Sequence, residues 1–284
     1  YYGDDESVVC GLADIGGGTV MIIGQERGHG DQGKKGWIYP EGFRKAHRAM
    51  KLAAKFMLPV VTFIDTPGAY PGLNAEERGV GNAIAQCLAF MSDLPTPVRA
   101  VIIGEGGSDG ALAFGVADRI LMLENAIFSV IPPERAASLL YRDSSKAEEV
   151  ATALKLTAKD CFDLGVVDVI VPEPTGGAHV SPDEAARQLK KYILNELVQL
   201  QGTFWSRLTK NRYDKYRGIG RYNSRLSVAF SKERAQLYEY ISQKVEELRE
   251  RKASRSRGSE EEGVAQKLDD SDSQENHPAD GLEK

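Results

Sequence analysis

The chain has 284 residues, 42% of them hydrophobic and 27% charged, and a formal net charge of -5. At roughly 100 to 200 residues per domain this supports one large core or two modest ones and excludes disorder throughout. The acidic balance argues against wholesale nucleic-acid binding while allowing a local basic patch.

From Val8 to about Val171, short apolar runs alternate with helical patterns, the rhythm of an α/β protein that buries helices against a sheet. Strands are predicted at 20–23, 60–64, 98–103, 119–123 and 166–171, because each run is brief, rich in Val and Ile, and bounded by Gly, Pro or Asp. Phe43, Ala46, Met50, Ala53 and Met57 fall on one helical stripe, and Val80, Ile84, Leu88 and Met91 on the next. A further helix is expected to start at Gly107-Ser108-Asp109 and run through Ala117, with shorter ones over 133–140 and 145–154. Ser181-Pro182-Asp183-Glu184 joins a capping Ser, Pro at the first helical position and Glu at the third, and opens a helix to about Leu200.

The composition then shifts. Between Arg207 and Arg234 there are nine Lys or Arg against two acids, interleaved with Tyr213, Tyr216 and Tyr222. That segment reads either as a helix docking on a partner or as a binder of phosphates. Gly258 to Lys284 carries nine acids against two lysines and is expected to be a disordered tail. No run approaches the roughly 18 to 20 apolar residues that cross a bilayer, and Tyr1 to Glu6 has no leader character, so a cytoplasmic protein is expected. Cys10, Cys87 and Cys161 lack any C-x-x-C spacing and read as reduced structural thiols. The missing initiator Met leads us to expect a fragment.

Three segments could carry chemistry. In Val101 to Ala113 a buried strand runs through Gly104, Gly106 and Gly107 into a helix, a turn whose free N–H groups suit an anion or oxyanion. Glycine there allows close approach of a ligand and a positive φ. The same turn satisfies G-x-S-x-G, and Asp168 and His179 follow Ser108 in the order of an α/β-hydrolase triad, so a serine hydrolase is a rival reading. A dinucleotide fingerprint is excluded by Asp109 at its third glycine. Thr62 to Gly72 ends a strand in two Pro-Gly turns and forms the opposing wall, with Gly68, Ala69 and Tyr70 at its tip and Asp65 read as capping the loop rather than holding a metal. Glu76, Glu77 and Arg78 read as a solvated helix start. The third segment, 25–37, has four glycines in 28–36, and in it His29, Lys34 and Lys35 are candidates for a base and for phosphate contacts.

Taken together, Met21 to Gly24, Pro40 to Ala46, the Phe63 to Gly72 loop, Ala75 to Gly79, Gly104 to Ala113 and Pro172 to His179 closely resemble the α subunit of the heteromeric, bacterial and plastid-type acetyl-CoA carboxylase carboxyltransferase. The resemblance covers roughly Gly3 to Gly220. It implies a crotonase-like spiral of ββα units, placed over 1–200; the basic helical extension over 201–252 and the disordered acidic tail over 253–284 rest on composition, and the tail has no counterpart in the family. It also implies transfer of carboxylate from carboxybiotin, on a biotin carboxyl carrier protein charged by biotin carboxylase in an ATP-dependent complex, to acetyl-CoA. The malonyl-CoA formed would serve fatty acid biosynthesis. An α2β2 assembly is implied, with a β subunit that supplies the acyl-CoA wall and the only zinc, in the cytoplasm or the plastid stroma. On this resemblance Gly106 and Gly107, with Gly68 and Ala69, carry the biotin-side oxyanion role, and Tyr70 borders the biotin. Two departures from the family pattern lie close by: Asp109 in its Gly-Gly-Ser-Gly-Gly run, and Pro132-Pro133-Glu134-Arg135 in place of Ser-Pro-Glu-Gly. They keep open a third reading, a non-catalytic assembly subunit.

Overall fold

A computed structural model describes residues 3–27, 36–200 and 204–220. Strands β1 (Val8–Ile15) and β2 (Gly18–Gln25) form an antiparallel hairpin. Its two-residue loop, Gly16 and Gly17, has φ of 67° and 85°, the positive pair that a type I′ turn demands. Then follow α1 (Pro40–Lys55), β3 (Val60–Thr66), α2 (Leu73–Glu77), α3 (Val80–Ser92), β4 (Val98–Gly107), α4 (Ser108–Leu112), β5 (Arg119–Leu123) and β6 (Ile127–Ser129). After these come α5 (Pro133–Tyr141), a 3₁₀ turn (Ser144–Lys146), α6 (Ala147–Leu154), α7 (Ala158–Asp163), β7 (Val169–Val171), α8 (Pro182–Leu200) and α9 (Trp205–Gly218).

The sheet is mixed, in the order β1-β2-β3-β4-β5-β7, antiparallel only at β1-β2. The long β4 changes partner along its length: Arg99 to Ile102 pair with β5, whereas Glu105 to Gly107 pair with β6. This exchange, with a register shift between Ile64 and Thr66 on β3, turns the carboxyl end of β4 toward the loop that leaves β3.

Helix α1 buries Phe43, Ala46, Met50 and Ala53 as its spacing predicts, and Phe43 stacks on Phe114 at 5.7 Å. Burying each large apolar side chain of this kind contributes about 1.5–3 kcal/mol. Met57 leaves the stripe: the helix ends at Lys55 and Met57 takes φ 54°, 56% exposed. The helix expected through Ala117 stops at Leu112, where Gly115 closes a turn onto Leu112 O. The strand expected over 166–171 is only Val169–Val171, because the N–H groups of Val166 and Val167 donate to Cys161 O after α7.

The compact unit runs to Ile219, past the boundary expected near residue 200. Arg212 on α9, only 1% exposed, reaches under the end of α3 and donates to Met91 O, Leu94 O and Thr96 O and to both oxygens of Asp118. The guanidinium thus supplies a donor to the Leu94 and Thr96 carbonyls just past α3 and a further one to Met91 O, which also accepts from the helix-end backbone. Lys215 pairs with Asp168, and Tyr216 donates to Gly115 O at 2.6 Å. Within the described part of the basic segment, then, two cations and one tyrosine are structural. Arg221 to Arg234 and the acidic tail lie outside the described residues.

Candidate active site

The site is assembled from two backbone segments that meet at the carboxyl ends of β3 and β4. Thr66 Oγ1 accepts the Gly68 N–H at 3.0 Å and donates to Gly36 O at 2.7 Å. Ile38 N–H donates to Gly68 O and Tyr70 N–H to Ile38 O, which clips the loop to residues 36–38. Gly68 has φ 138°, a conformation that favours glycine.

Against this loop lies the start of α4. A Cβ on Gly107 would fall 2.2 Å from Pro67 O, and one on Gly110 would fall 2.5 Å from Gly68 C. Gly106 has the same constraint toward Phe128, at 2.6 Å. Gly107 and Gly110 permit backbone to touch backbone, whereas Gly106 makes room for the Phe128 ring, and positive φ is not their reason: Gly107 sits at φ -89°, and it is Ser108 that takes φ 51°. Side chains brace the arrangement from behind. Asp65 Oδ1 accepts the Glu105 N–H at 2.9 Å, Arg27 pairs with Asp65 at 3.2 Å and Glu105 at 2.9 Å, and the buried Gln25 bridges Asp65 N–H to Gly110 O. Asp65 thus ties β3 to β4 and Arg27 instead of capping its own loop as expected; that loop is capped by Thr66. Nothing in the sequence marked Gln25 or Arg27, because their partners lie at least 38 positions away.

Between the segments opens a cavity of about 310 Å³. Gly68, Ala69 and Tyr70 line it, with Trp37, Val80, Ile84 and Val130 as apolar wall and Ser108 and Asp109 at the turn. Gly106 and Gly107 do not line it; they lie behind, setting the distance between its walls. Among the described residues, no turn, loop, cap or side-chain bond uses the N–H of Ala69, Asp109 or Gly110, and the last two precede the first intrahelical donor of α4, whereas the Ser108 N–H belongs to the β4–β6 ladder in which Gly107 pairs with Ser129. The Gly68 N–H is already committed to Thr66, so Gly68 shapes the loop and is not a free donor. Tyr70 stacks on Tyr39 at 4.5 Å, and Arg78, paired with Glu41 at 2.8 Å, lies over the Tyr39 ring at 5.2 Å. Burial, then the neighbouring Tyr70, raises the Tyr39 phenol above its ordinary pKa. A second cavity, of about 430 Å³ and mainly apolar, shares Ser108, Asp109 and Val130 with the first and extends to Leu112, Phe128 and Leu164.

The Ser108, Asp168, His179 triad is not assembled. Ser108 does have the strained turn of a nucleophile elbow, but Asp168 is spent on the Ile120 N–H, Arg119 and Lys215. His179 borders a separate cavity beside Glu124, Asn125 and Glu173. His29, Lys34 and Lys35 lie outside the described residues. Glu76 is exposed, as read, and with Arg135 it also lines the main cavity. No group of three or more His, Cys, Asp or Glu side chains among the described residues could hold a metal ion. No described helix is long and apolar enough to cross a membrane.

Residues 1–220 match the family described as acetyl co-enzyme A carboxylase carboxyltransferase-like. The chain is 50% identical over 225 residues to the acetyl-coenzyme A carboxylase carboxyl transferase subunit alpha of Xanthomonas campestris pv. campestris, over 78% of this chain and 70% of that one. Among solved structures, a Pseudomonas malonate decarboxylase hetero-tetramer in complex with coenzyme A aligns at TM-score 0.64 and 16% identity over 84% of this chain and 93% of that chain. Transcarboxylase 12S with methylmalonyl-coenzyme A and methylmalonic acid bound aligns at TM-score 0.59 and 22% identity over 68% of this chain, which spans 36% of that one. These structures share the fold, so the expected crotonase-like architecture holds, and with the sequence match the chain belongs to the α subunits of the acetyl-CoA carboxylase carboxyltransferase family.

Proposed function

We propose that the chain, joined to a carboxyltransferase β subunit, forms the biotin-facing wall of an enzyme that transfers carboxylate from carboxybiotin to acetyl-CoA. One observation carries the reading: a cavity, walled in part by apolar side chains, beside backbone N–H groups of Ala69, Asp109 and Gly110 that no turn, loop, cap or side-chain bond uses.

When bound, carboxybiotin supplies the transferable carboxylate, and its loss leaves negative charge on the ureido oxygen. Fixed N–H donors aimed at such charge in a water-poor cleft contribute about 3 kcal/mol each. Trp37, Tyr70, Val80 and Ile84 supply the dry wall and orient the ring system, and no side-chain nucleophile is required. Gly107 and Gly110 hold the two donor segments in contact. The β subunit would supply the acyl-CoA wall, and the biotin carboxyl carrier protein would deliver its prosthetic group to the cavity mouth.

Reconstitution tests this. The purified chain with a β subunit, a carboxylated carrier and acetyl-CoA should yield malonyl-CoA, while either subunit alone should not. A stable complex without malonyl-CoA would instead support a non-catalytic assembly role.

A further inference from the structure

Three charged side chains border the main cavity: Glu76 on α2, Asp109 on α4 and Arg135 on α5. Among the described residues none of the three makes a side-chain hydrogen bond or ion pair. Nearby arginines differ: Arg44 and Arg78 pair with Glu41, and Arg27 with Asp65 and Glu105. Arg135 is thus the one cation among the described residues that line the cavity, and its guanidinium is uncommitted.

Its place on the helix is also unfavourable. Arg135 is the third residue of α5, inside the first turn, where the aligned peptide dipoles present partial positive charge and disfavour a cation. No contact within the described fold offsets that. The two carboxylates at the same mouth would meanwhile repel an anionic ligand, and a planar guanidinium is the group that matches a carboxylate with two parallel N–H bonds.

We propose that Arg135 is a specificity-determining residue that recognises the carboxylate on the carboxylated biotin head and offsets the negative charge of Asp109 and Glu76. The inference rests on the function proposed above. It distinguishes loaded from spent carrier, since only the loaded head carries the anion.

The test uses the reconstituted αβ complex with enzymatically carboxylated carrier protein, comparing the unsubstituted chain with R135Q, R135K and D109N/R135Q. R135Q should raise KM for the carboxylated carrier about tenfold, the scale of one charged hydrogen bond, with kcat within about twofold and KM for acetyl-CoA unchanged. Inhibition by uncarboxylated carrier should stay the same. R135K should recover part of the loss, and D109N in the R135Q background most of it. The thermal midpoint of R135Q should hold or rise, because a cation leaves a helix N-terminus. Unchanged KM in R135Q, or an equal weakening of loaded and spent carrier, overturns the inference while the function stands. No turnover by the unsubstituted complex overturns both.

Discussion

Replacing Gly107 by Ala asks whether the two donor segments must touch. The added Cβ would lie 2.2 Å from Pro67 O, 2.3 Å from Pro67 C and 2.7 Å from Thr66 O, all of them backbone atoms. Ordinary contact begins near 3.4 Å, so the Pro67 carbonyl must retreat by about 1.2 Å, the difference between 3.4 and 2.2. The loop cannot swing aside freely, because Thr66 and Ile38 clip it on both sides of Gly68. Overpacking of this kind costs about 1–3 kcal/mol, and a displacement of about 1 Å between groups that orient a substrate costs about 10²-fold in rate. Urea denaturation of the chain gives the first quantity and malonyl-CoA formation by the αβ complex the second. Gly11→Ala is the control, since nothing lies within 4 Å of its Cβ, and it should leave both unchanged. Full stability and full turnover in Gly107→Ala would refute the packing argument.

The remaining predictions concern other parts of the molecule. Ser108→Ala should leave carboxyl transfer within a few-fold, and a fluorophosphonate probe should not label Ser108; stoichiometric labelling would revive the hydrolase reading. Arg212→Met should destabilise the chain by about 3–5 kcal/mol in urea, because Asp118 loses its bidentate cation and the Leu94 and Thr96 carbonyls lose a buried donor; a loss under 1 kcal/mol would show that α9 is not clamped. Burial pushes the Cys87 thiol up to about 12, above the ordinary value of about 8.5, so the folded chain should react slowly with a disulfide reagent at pH 8 and rapidly once unfolded. Because the folded value is the raised one, the contribution of this thiol to stability is intact below about pH 8.5 and is lost as pH climbs from there toward 12.

Much of the body was legible because burial on both faces writes itself as uninterrupted Val and Ile, as in 60–64 and 98–103, and because α1 has an apolar stripe of helical period. Strand β1 was missed since it lies at the sheet edge with Val9 and Leu12 exposed, so it has no continuous apolar run. The Gly106-Gly107-Ser108 turn was visible as a ligand turn, yet its division of labour was not. Which glycine meets Pro67 depends on a contact 40 residues away in sequence, and the Gly68 N–H is taken by Thr66 only because that loop is folded back. The Ser108, Asp168, His179 order shows the converse hazard: the spacing was right, but Asp168 serves the anchoring of α9. Arg135 and Glu76 joined the site only when α2 and α5 were seen at the same cavity.

The most direct measurement is the position of the biotin ring in a structure of the αβ complex with its carrier bound. The account predicts the ureido oxygen within about 3 Å of one or more of the N–H groups of Ala69, Asp109 and Gly110, with the ring against Trp37 and Tyr70. A ureido oxygen held by other donors, with those N–H groups left to solvent, would contradict it.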